Sequence, residues 1–341
     1  MKNRDYSYWQ LIRLFLTIYL PKHRCFSKNT VGTYSDSLDL FSRFMQEAKG
    51  TRLMDISFNM FTHDCVYAFL DWLRDERKCC TSTCNLRLAA LKSFLYFAAV
   101  ENPALMAVYL AIKQVPAGKE PKRKVSYLTK PALKALIAQP DPRTPKGLRN
   151  RFIIILLYDT GARIHEFLDL KLKDLYLEIE TPCVYLHGKG NKIRCIPLMN
   201  KTIAHLNEYI KKFHPEAVRD VNQYLFYTTI KGNTGRISED LVAWMLKKYG
   251  EAARLGCPEL PDRIHPHQIR HSRAQHLYQD GMPLSYIAEF LGHASMNTTT
   301  IYASVDTSMM RAAIEKTSNS KQAVQPIWKQ NEAMIGKLCG L

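Results

Sequence analysis

The 341-residue sequence has no apolar run near its amino terminus that could span a bilayer. The longest such run, 14–20, is interrupted by Thr17, and no small-residue cleavage site follows it. Internal repeats and long low-complexity segments are also missing. We therefore predict a cytoplasmic protein with no membrane partner, and this length is sufficient for two domains.

Two kinds of site lack the pattern that they would need. The segment 188–192 is glycine-rich, but it does not have the glycine, four residues and Gly-Lys-Ser/Thr of a phosphate-binding P-loop. Nine cysteines are present, yet the cluster of Cys79, Cys80 and Cys84 has no second Cys/His pair at ligand spacing nearby. We predict no nucleotide cofactor, no metal and reduced thiols.

Positive charge is present in excess. The chain has 48 Lys and Arg against 31 Asp and Glu, a formal net charge of +17. Clustered basic side chains gain free energy by releasing counterions from nucleic acid. Solubility alone is the alternative explanation, and we favour a polyanionic partner.

The chain divides at a basic segment that contains prolines. Between residues 113 and 131 it carries six positive charges and one negative, and the prolines prevent a continuous helix. We predict a helical domain over 1–115, a basic linker over 116–127 and a second domain over 128–341. The linker residues that could lie along a phosphate backbone are Lys122, Arg123 and Lys124.

Helical periodicity dominates before the linker. Apolar residues at spacings of three and four predict helices that begin near Ser27, run over 62–77 and begin again near Ser82. The stretch 8–19 can add another. Two basic residues lie beside the apolar stripe of the third helix, where they face either DNA or plain solvent: Arg87 and Lys92.

The second domain is predicted to be mainly helical with a small antiparallel sheet. The segment 151–158 is apolar all round, which indicates a buried central helix. Segments 183–187 and 193–197 flank the glycine-rich turn and predict a β-hairpin. The predicted helices are 130–139, 147–158, 202–213, 238–255, 267–280, 285–291 and 298–316.

Two arginines are candidates for holding a phosphate. Arg163 follows a Thr-Gly pair after the apolar helix, and its planar fork can donate two parallel hydrogen bonds to phosphate. It could instead form a surface ion pair with Glu166. His267 and Arg270 share one face at the start of a helix, where the dipole also favours an anion. A metal site with the neighbouring histidines is disfavoured, because no carboxylate or Cys lies at ligand spacing.

Three residues complete the candidate set. Lys189 lies at the tip of the predicted hairpin, where it could act as a general acid, and Lys192 competes for that role. His293 follows one short helix, and Tyr302 comes nine residues later, about one turn into the next. A tyrosine considered alone is more often a core residue. Nearby rivals are Tyr278 and Tyr286.

Together these pieces resemble the tyrosine recombinases of the phage-integrase and Xer type. The resemblance covers about residues 27 to 312. Its catalytic boxes are similar to segments 160–166, 188–192, 267–271 and 291–293, followed by Tyr302. Segments 27–34 and 87–94 resemble the helical core-binding domain of that family. The resemblance implies a mainly α fold: a helical SAM-like core-binding domain, then a mostly helical catalytic domain with a small antiparallel β-sheet.

The resemblance also implies the chemistry. Tyr302 would attack a DNA phosphodiester and form a 3′-phosphotyrosyl bond, while Lys189 protonates the leaving 5′-oxygen. His267 would serve in proton transfer to and from the tyrosine. The covalent bond conserves the reactivity of the phosphodiester, so no metal, ATP or other cofactor is implied. A second strand exchange through a Holliday junction gives recombinants.

The remaining roles concern the phosphate. Arg163 and Arg270 would hold the non-bridging oxygens and stabilise the charge that grows in the transition state. His293 would hydrogen-bond the phosphate, and Glu166 would orient Arg163 or a neighbour. The resemblance therefore implies six catalytic residues and one supporting carboxylate.

The implied partners are double-stranded DNA with a specific recombination site and further copies of the chain, as a homo-tetramer on two sites. A second recombinase or accessory proteins remain open, and so does the role of the tail 311–341. The resemblance implies a nucleoid-associated recombinase of a mobile element or of Xer-like type. The alternatives are a type IB topoisomerase-like nicking-closing enzyme, which the domain order disfavours, and a catalytically silent DNA-binding regulator, which the complete residue set disfavours.

Overall fold

The computed structural model of the chain describes residues 7–120, 126–188, 192–216, 220–293 and 295–302. The chain folds as two compact units, Met1–Arg123 and Lys124–Leu341. This division falls inside the segment predicted as the linker. Four groups of predicted functional residues lie outside the described ranges: Lys122 to Lys124, Lys189, the tail 311–341 and most of the predicted helix 298–316.

The amino-terminal unit is built from helices. Ser27 and Thr62 begin two of them, because their side chains accept hydrogen bonds from the backbone N–H groups of Thr30 and Cys65. A π-helix, Phe15–His23, follows the first α-helix directly. The α-helices are α1 (Ser7–Leu14), α2 (Lys28–Glu47), α3 (His63–Asp75), α4 (Thr81–Glu101) and α5 (Met106–Lys113).

Aromatic rings fill the core of this unit. Phe15, Phe41, Phe69 and Phe94 are fully buried. The ring of Phe41 stacks on Phe61 with a centroid distance of 4.6 Å, a geometry that adds to the stabilisation from burial alone. The amino-terminal unit thus has a hydrophobic core of its own.

The carboxy-terminal unit places a buried helix among shorter elements. This helix is α7 (Pro145–Thr160). Its segment 151–158 is apolar on nearly all sides, as the sequence predicts, and Ile154 and Leu156 are completely buried. The other helices are α6 (Lys130–Ala138), α8 (Ile164–Leu168), α9 (Asn200–Phe213), α10 (Glu239–Arg254), α11 (Pro266–Gln279) and α12 (Leu284–Leu291). No described helix is both long and apolar enough to cross a membrane.

Two small antiparallel sheets complete this unit. The first has the order β1-β2-β3, and its hairpin register pairs Tyr185 with Cys195. The second is a separate hairpin of two strands. The strands are β1 (Leu175–Tyr176), β2 (Cys183–His187), β3 (Ile193–Pro197), β4 (Tyr227–Ile230) and β5 (Asn233–Arg236).

The mainly α fold class is confirmed, and the hairpin of β2 and β3 has the predicted bounds. The prediction for the start of helix 298–316 is wrong. Residues Met296–Thr298 and Thr300–Tyr302 form 3-10 turns instead. The N–H of Tyr302 donates to the carbonyl of Thr299, three residues back, which is the 3-10 pattern.

Candidate functional site

The turn after α7 positions Arg163. Gly161 ends the helix with φ 54° and ψ 26°, in the left-handed region that favours glycine. A Cβ atom there would lie 2.9 Å from Cε1 of Phe290. The chain reverses at this glycine, and Arg163 becomes the residue that precedes α8.

The carboxylate of Glu166 joins two arginines. It accepts a hydrogen bond of 2.8 Å from Nη1 of Arg163 and one of 2.7 Å from Nη2 of Arg194. The backbone N–H of Arg163 donates to it as well, at 3.0 Å. Burial raises the pKa of Glu166, but the hydrogen bonds from Arg194 and Arg163 outweigh burial and lower it to about 2. The carboxylate is therefore ionised at neutral pH.

Arg163 remains partly open to solvent while it makes these contacts. Its side chain is 36% exposed, and its Nη2 donates to the carbonyl of Gly292 at 3.0 Å. The ion pair with Glu166 and a role in binding an anion therefore do not exclude each other. The ion pair fixes the guanidinium, and the exposed part can still receive a ligand.

Arg270 is held by the ends of two helices, α7 at Gly161 and α12 at Leu291. Its Nη1 donates to the carbonyl of Gly161 and its Nη2 to that of Leu291, both at 2.6 Å. The residue is 4% exposed. Burial and then the charge of Arg163 lower its pKa to about 9, so it stays charged at neutral pH. The structure thus places Arg163 and Arg270 close together, and both donate hydrogen bonds to backbone carbonyls at 161 or 291–292.

Arg194 belongs to this cluster, although the sequence motifs gave it no role. It lies on β3 opposite the buried Leu186, and only 12% of its side chain is exposed. Gly292 leaves room for it, because a Cβ there would be 3.1 Å from its Nη1. The alternating pattern of β3 was a usable signal in the sequence, because it places Arg194 on the same face as the buried Ile196. A buried arginine needs an anionic partner.

His293 and His267 are near the same cations. Nδ1 of His293 hydrogen-bonds Oγ1 of Thr299 at 2.8 Å, and burial followed by the charge of Arg270 lowers its pKa to about 4. His267 is solvent-accessible. Partial burial of the imidazole, followed by the charge of Arg270, lowers the pKa of His267. Both histidines are therefore mainly neutral at neutral pH, and each has one ring N–H that can donate a hydrogen bond to an oxyanion.

Tyr302 is buried rather than presented to solvent. It is 1% exposed, and its ring packs in a small cluster with Ala274, Ile287 and Leu291. Its hydroxyl lies 2.8 Å from Nδ1 of His271. Burial raises the pKa of Tyr302 to about 12. The phenol is therefore protonated at neutral pH, and its oxygen has a fixed hydrogen-bond partner.

A cleft of about 970 Å³ opens beside the arginines. Arg163, Arg194 and His293 line it, and so does Lys192, the rival of Lys189. Tyr286 also lines it and is 62% exposed. In the described part of the chain, no group of three or more His, Cys, Asp or Glu side chains could hold a metal ion.

Arg87 and Lys92 make contacts inside the amino-terminal unit. Nη1 of Arg87 donates to Oγ of Ser37 at 2.9 Å, which ties α4 to α2. Nζ of Lys92 donates to the carbonyls of Lys113, the last residue of α5, and Val115, and burial lowers the pKa of Lys92. The structure gives both side chains a packing role, and their contact with DNA stays a prediction.

Lys92→Met separates these two roles. We expect the free energy of unfolding to fall by about 1–3 kcal/mol, because the carbonyls of Lys113 and of the buried Val115 lose a charged donor. Urea unfolding of the variant measures this. A loss of DNA affinity with unchanged stability would contradict the packing role.

Glu166→Gln tests the charge of the buried carboxylate. The folded pKa of about 2 lies below the ordinary 4.5, so the carboxylate stabilises the fold above pH 4.5, and this is lost as the pH falls towards 2. The contribution is at most about 3 kcal/mol. We therefore expect the variant to be less stable than wild type at pH 7, and the difference in free energy of unfolding to become smaller between pH 5 and pH 3.

Urea unfolding at each pH measures this difference, and the exposed Glu251→Gln is the control. A difference that does not change with pH would contradict a stabilising role of the Glu166 charge.

Two family models match the chain. The model described as "Phage integrase family" matches residues 126–309, which is more than half of the chain. The model described as "Phage integrase, N-terminal SAM-like domain" matches residues 12–102. The chain is 31% identical over 290 residues to tyrosine recombinase XerA of Pyrococcus horikoshii, covering 85% of this chain and 88% of that protein. It is 30% identical over 310 residues to tyrosine recombinase XerC of Bacillus licheniformis, with 88% and 94% covered.

Solved structures share the fold. The XerH site-specific recombinase in its post-cleavage complex with palindromic difH superposes with a TM-score of 0.66 at 22% identity, over 85% of this chain and 80% of that one. The Tn1549 transposon integrase in complex with circular intermediate DNA gives a TM-score of 0.67 at 17% identity, over 90% and 99%. The resemblance seen in the sequence is thus confirmed: the chain belongs to the phage integrase family of tyrosine recombinases.

Proposed function

We propose that the protein is a site-specific DNA recombinase that cleaves and rejoins DNA through a 3′-phosphotyrosyl intermediate and a Holliday junction. One observation carries this proposal. Arg163 and Arg270 are held by the same two turns, and α11 also carries the side chain that binds the hydroxyl of Tyr302. Two fixed cations beside a phenol suit phosphoryl transfer.

Each side chain takes one role in the reaction. Arg163 and Arg270 bind the non-bridging oxygens of the scissile phosphate, and His293 adds a hydrogen bond. Glu166 and Arg194 keep Arg163 in place. Lys189 protonates the leaving 5′-oxygen. Because the resting Tyr302 is 1% exposed, a local movement on DNA binding must bring its hydroxyl and the phosphate together.

The substrate in this proposal is duplex DNA with a specific site, bound by a homo-tetramer on two sites. The net charge of +17 supports a polyanionic substrate. The basic linker residues Lys122, Arg123 and Lys124 would contact the phosphate backbone of the DNA. Such an enzyme works in the cytoplasm, at the nucleoid. The related XerA and XerC suggest an Xer-like reaction, and the Tn1549 integrase suggests a mobile element.

A two-site plasmid separates a recombinase from a nicking-closing enzyme. The site is first selected from a pool of random duplexes by binding, and two copies are placed in one supercoiled plasmid. We expect recombinant circles in the presence of EDTA and without ATP. Relaxed plasmid without recombinants would favour the topoisomerase-like alternative, and binding without any strand cleavage would favour a silent regulator.

A further inference from the structure

The hydroxyl of Tyr302 is bound by a histidine that the proposed mechanism does not use. His271 directly follows Arg270 on α11, and its Nδ1 lies 2.8 Å from the phenol oxygen. Among the described residues, His271 is the only side chain that hydrogen-bonds this oxygen, whereas His267 does not reach it. In the resting structure the ring of Tyr302 packs in its cluster, so this contact has a defined geometry there. His271 directly follows Arg270, so a phosphate held by Arg270 would bring the attacking hydroxyl close to the same imidazole.

The direction of the hydrogen bond follows from the charge states. Burial, followed by the charges of His267 and Arg270, lowers the pKa of His271 to about 4. Tyr302, with its pKa raised to about 12, is protonated. At neutral pH the phenol O–H therefore donates a hydrogen bond to the unprotonated Nδ1 of His271. A general base must have this relation to the group that it deprotonates.

We propose that His271 is a catalytic residue that orients the oxygen of Tyr302 and takes its proton when that oxygen attacks phosphorus. This rests on the proposed role of Tyr302 as the nucleophile. The Oη–H bond breaks, the Oη–P bond forms and the bond from phosphorus to the 5′-oxygen breaks. The phenol proton moves to Nδ1 of His271, and the 5′-oxygen takes its proton from a separate donor, Lys189. On rejoining, Nδ1 returns the proton to Tyr302.

Bound phosphate controls this transfer. The titratable groups that face His271 are His267 and Arg270 on its own helix and His265 directly before that helix, and of these Arg270 is charged at neutral pH. Tyr302 faces it from a 3-10 turn. Without DNA, the positive charge of Arg270 disfavours protonation of His271. A phosphate anion against Arg163 and Arg270 offsets that effect, so protonation of His271 becomes easier when the substrate is in place.

Two substitutions at one position test this role. His271→Asn keeps an acceptor near the position of Nδ1 but cannot hold the proton, and His271→Ala removes both functions. Cleavage is measured as covalent adduct formed in a single turnover on a nicked suicide duplex carrying the selected site. We expect both variants to cleave slower by about 10²-fold or more. An Asn variant within about 3-fold of wild type shows that the contact only orients the phenol and overturns the proton transfer. An Ala variant within that range overturns any role.

The controls separate this inference from the proposed function. His205→Ala removes a half-buried histidine of α9 outside the site, and its rate should be unchanged. Thermal unfolding and DNA binding show whether both His271 variants fold. If His271→Ala does not fold, His271→Asn, which is the smaller change, still tests the proton transfer. If wild type forms no adduct, or Tyr302→Phe forms one, the proposed function fails together with this inference. Fast His271 variants beside an active wild type and an inactive Tyr302→Phe contradict the inference alone.

Discussion

A Tyr302→Phe variant is expected to form no covalent adduct with a nicked suicide duplex on which wild type accumulates one. The substitution removes the phenol oxygen, and no other described side chain has the same position beside His271. The ring still fills the cluster with Ala274, Ile287 and Leu291, so folding is preserved. Gel electrophoresis under denaturing conditions measures the adduct, because only a covalent complex survives it.

Tyr278→Phe is the matched control for this variant. Tyr278 packs against the same cluster, and it was a rival of Tyr302 in the sequence. We expect its adduct to form at the wild-type rate. An adduct that persists in Tyr302→Phe and disappears in Tyr278→Phe would reverse the assignment of the nucleophile.

Arg270→Lys is expected to slow cleavage by about 10²–10³-fold. Lysine keeps the charge, but a compact ammonium cannot reproduce the planar fork that bonds the carbonyls of Gly161 and Leu291. The clamp for the phosphate then loses its fixed geometry. Single-turnover cleavage at saturating enzyme measures the chemical step separately from binding.

The control has to account for lost stability. Arg254 also donates to two backbone carbonyls, those of Pro261 and Asp262, at 2.6 and 2.7 Å, and it lies outside the arginine cluster. Arg254→Lys should therefore lower stability to a similar degree, with cleavage within about 3-fold of wild type. Equal losses of cleavage in both variants would assign Arg270 to folding alone.

The parts of the fold that depend on local patterns could be predicted from the sequence. The caps at Ser27 and Thr62 and the alternation of β2 and β3 are properties of short segments. The hairpin of β4 and β5 was missed because its turn places Lys231, with φ 49°, beside Gly232. Lysine rarely adopts the left-handed backbone region, so no sign of a turn at Lys231 was present in the sequence. Helix α5 was missed because Pro103 favours the end of the helical domain, whereas Asn102 caps a new turn there.

The identities of the candidate residues followed from motifs, but their contacts did not. Arg270 binds the carbonyl of Gly161, which is 109 residues away in the chain. The pairing of Arg194 with Glu166 also needs the strand to fold back over α8. The family resemblance implied that His267 serves in proton transfer with Tyr302, and only the three-dimensional structure shows His271 at the phenol. Such contacts depend on tertiary packing, which spacing alone does not encode.

The proposed chemistry depends on the identity of the bond between protein and DNA. The most direct measurement is peptide mapping by mass spectrometry of the adduct trapped on the suicide duplex, with end-labelling of the released strand. We predict a nucleotide linked through its 3′-phosphate to the peptide that contains Tyr302, and a free 5′-hydroxyl on the released strand. Linkage to another residue, or through a 5′-phosphate, would contradict this chemistry.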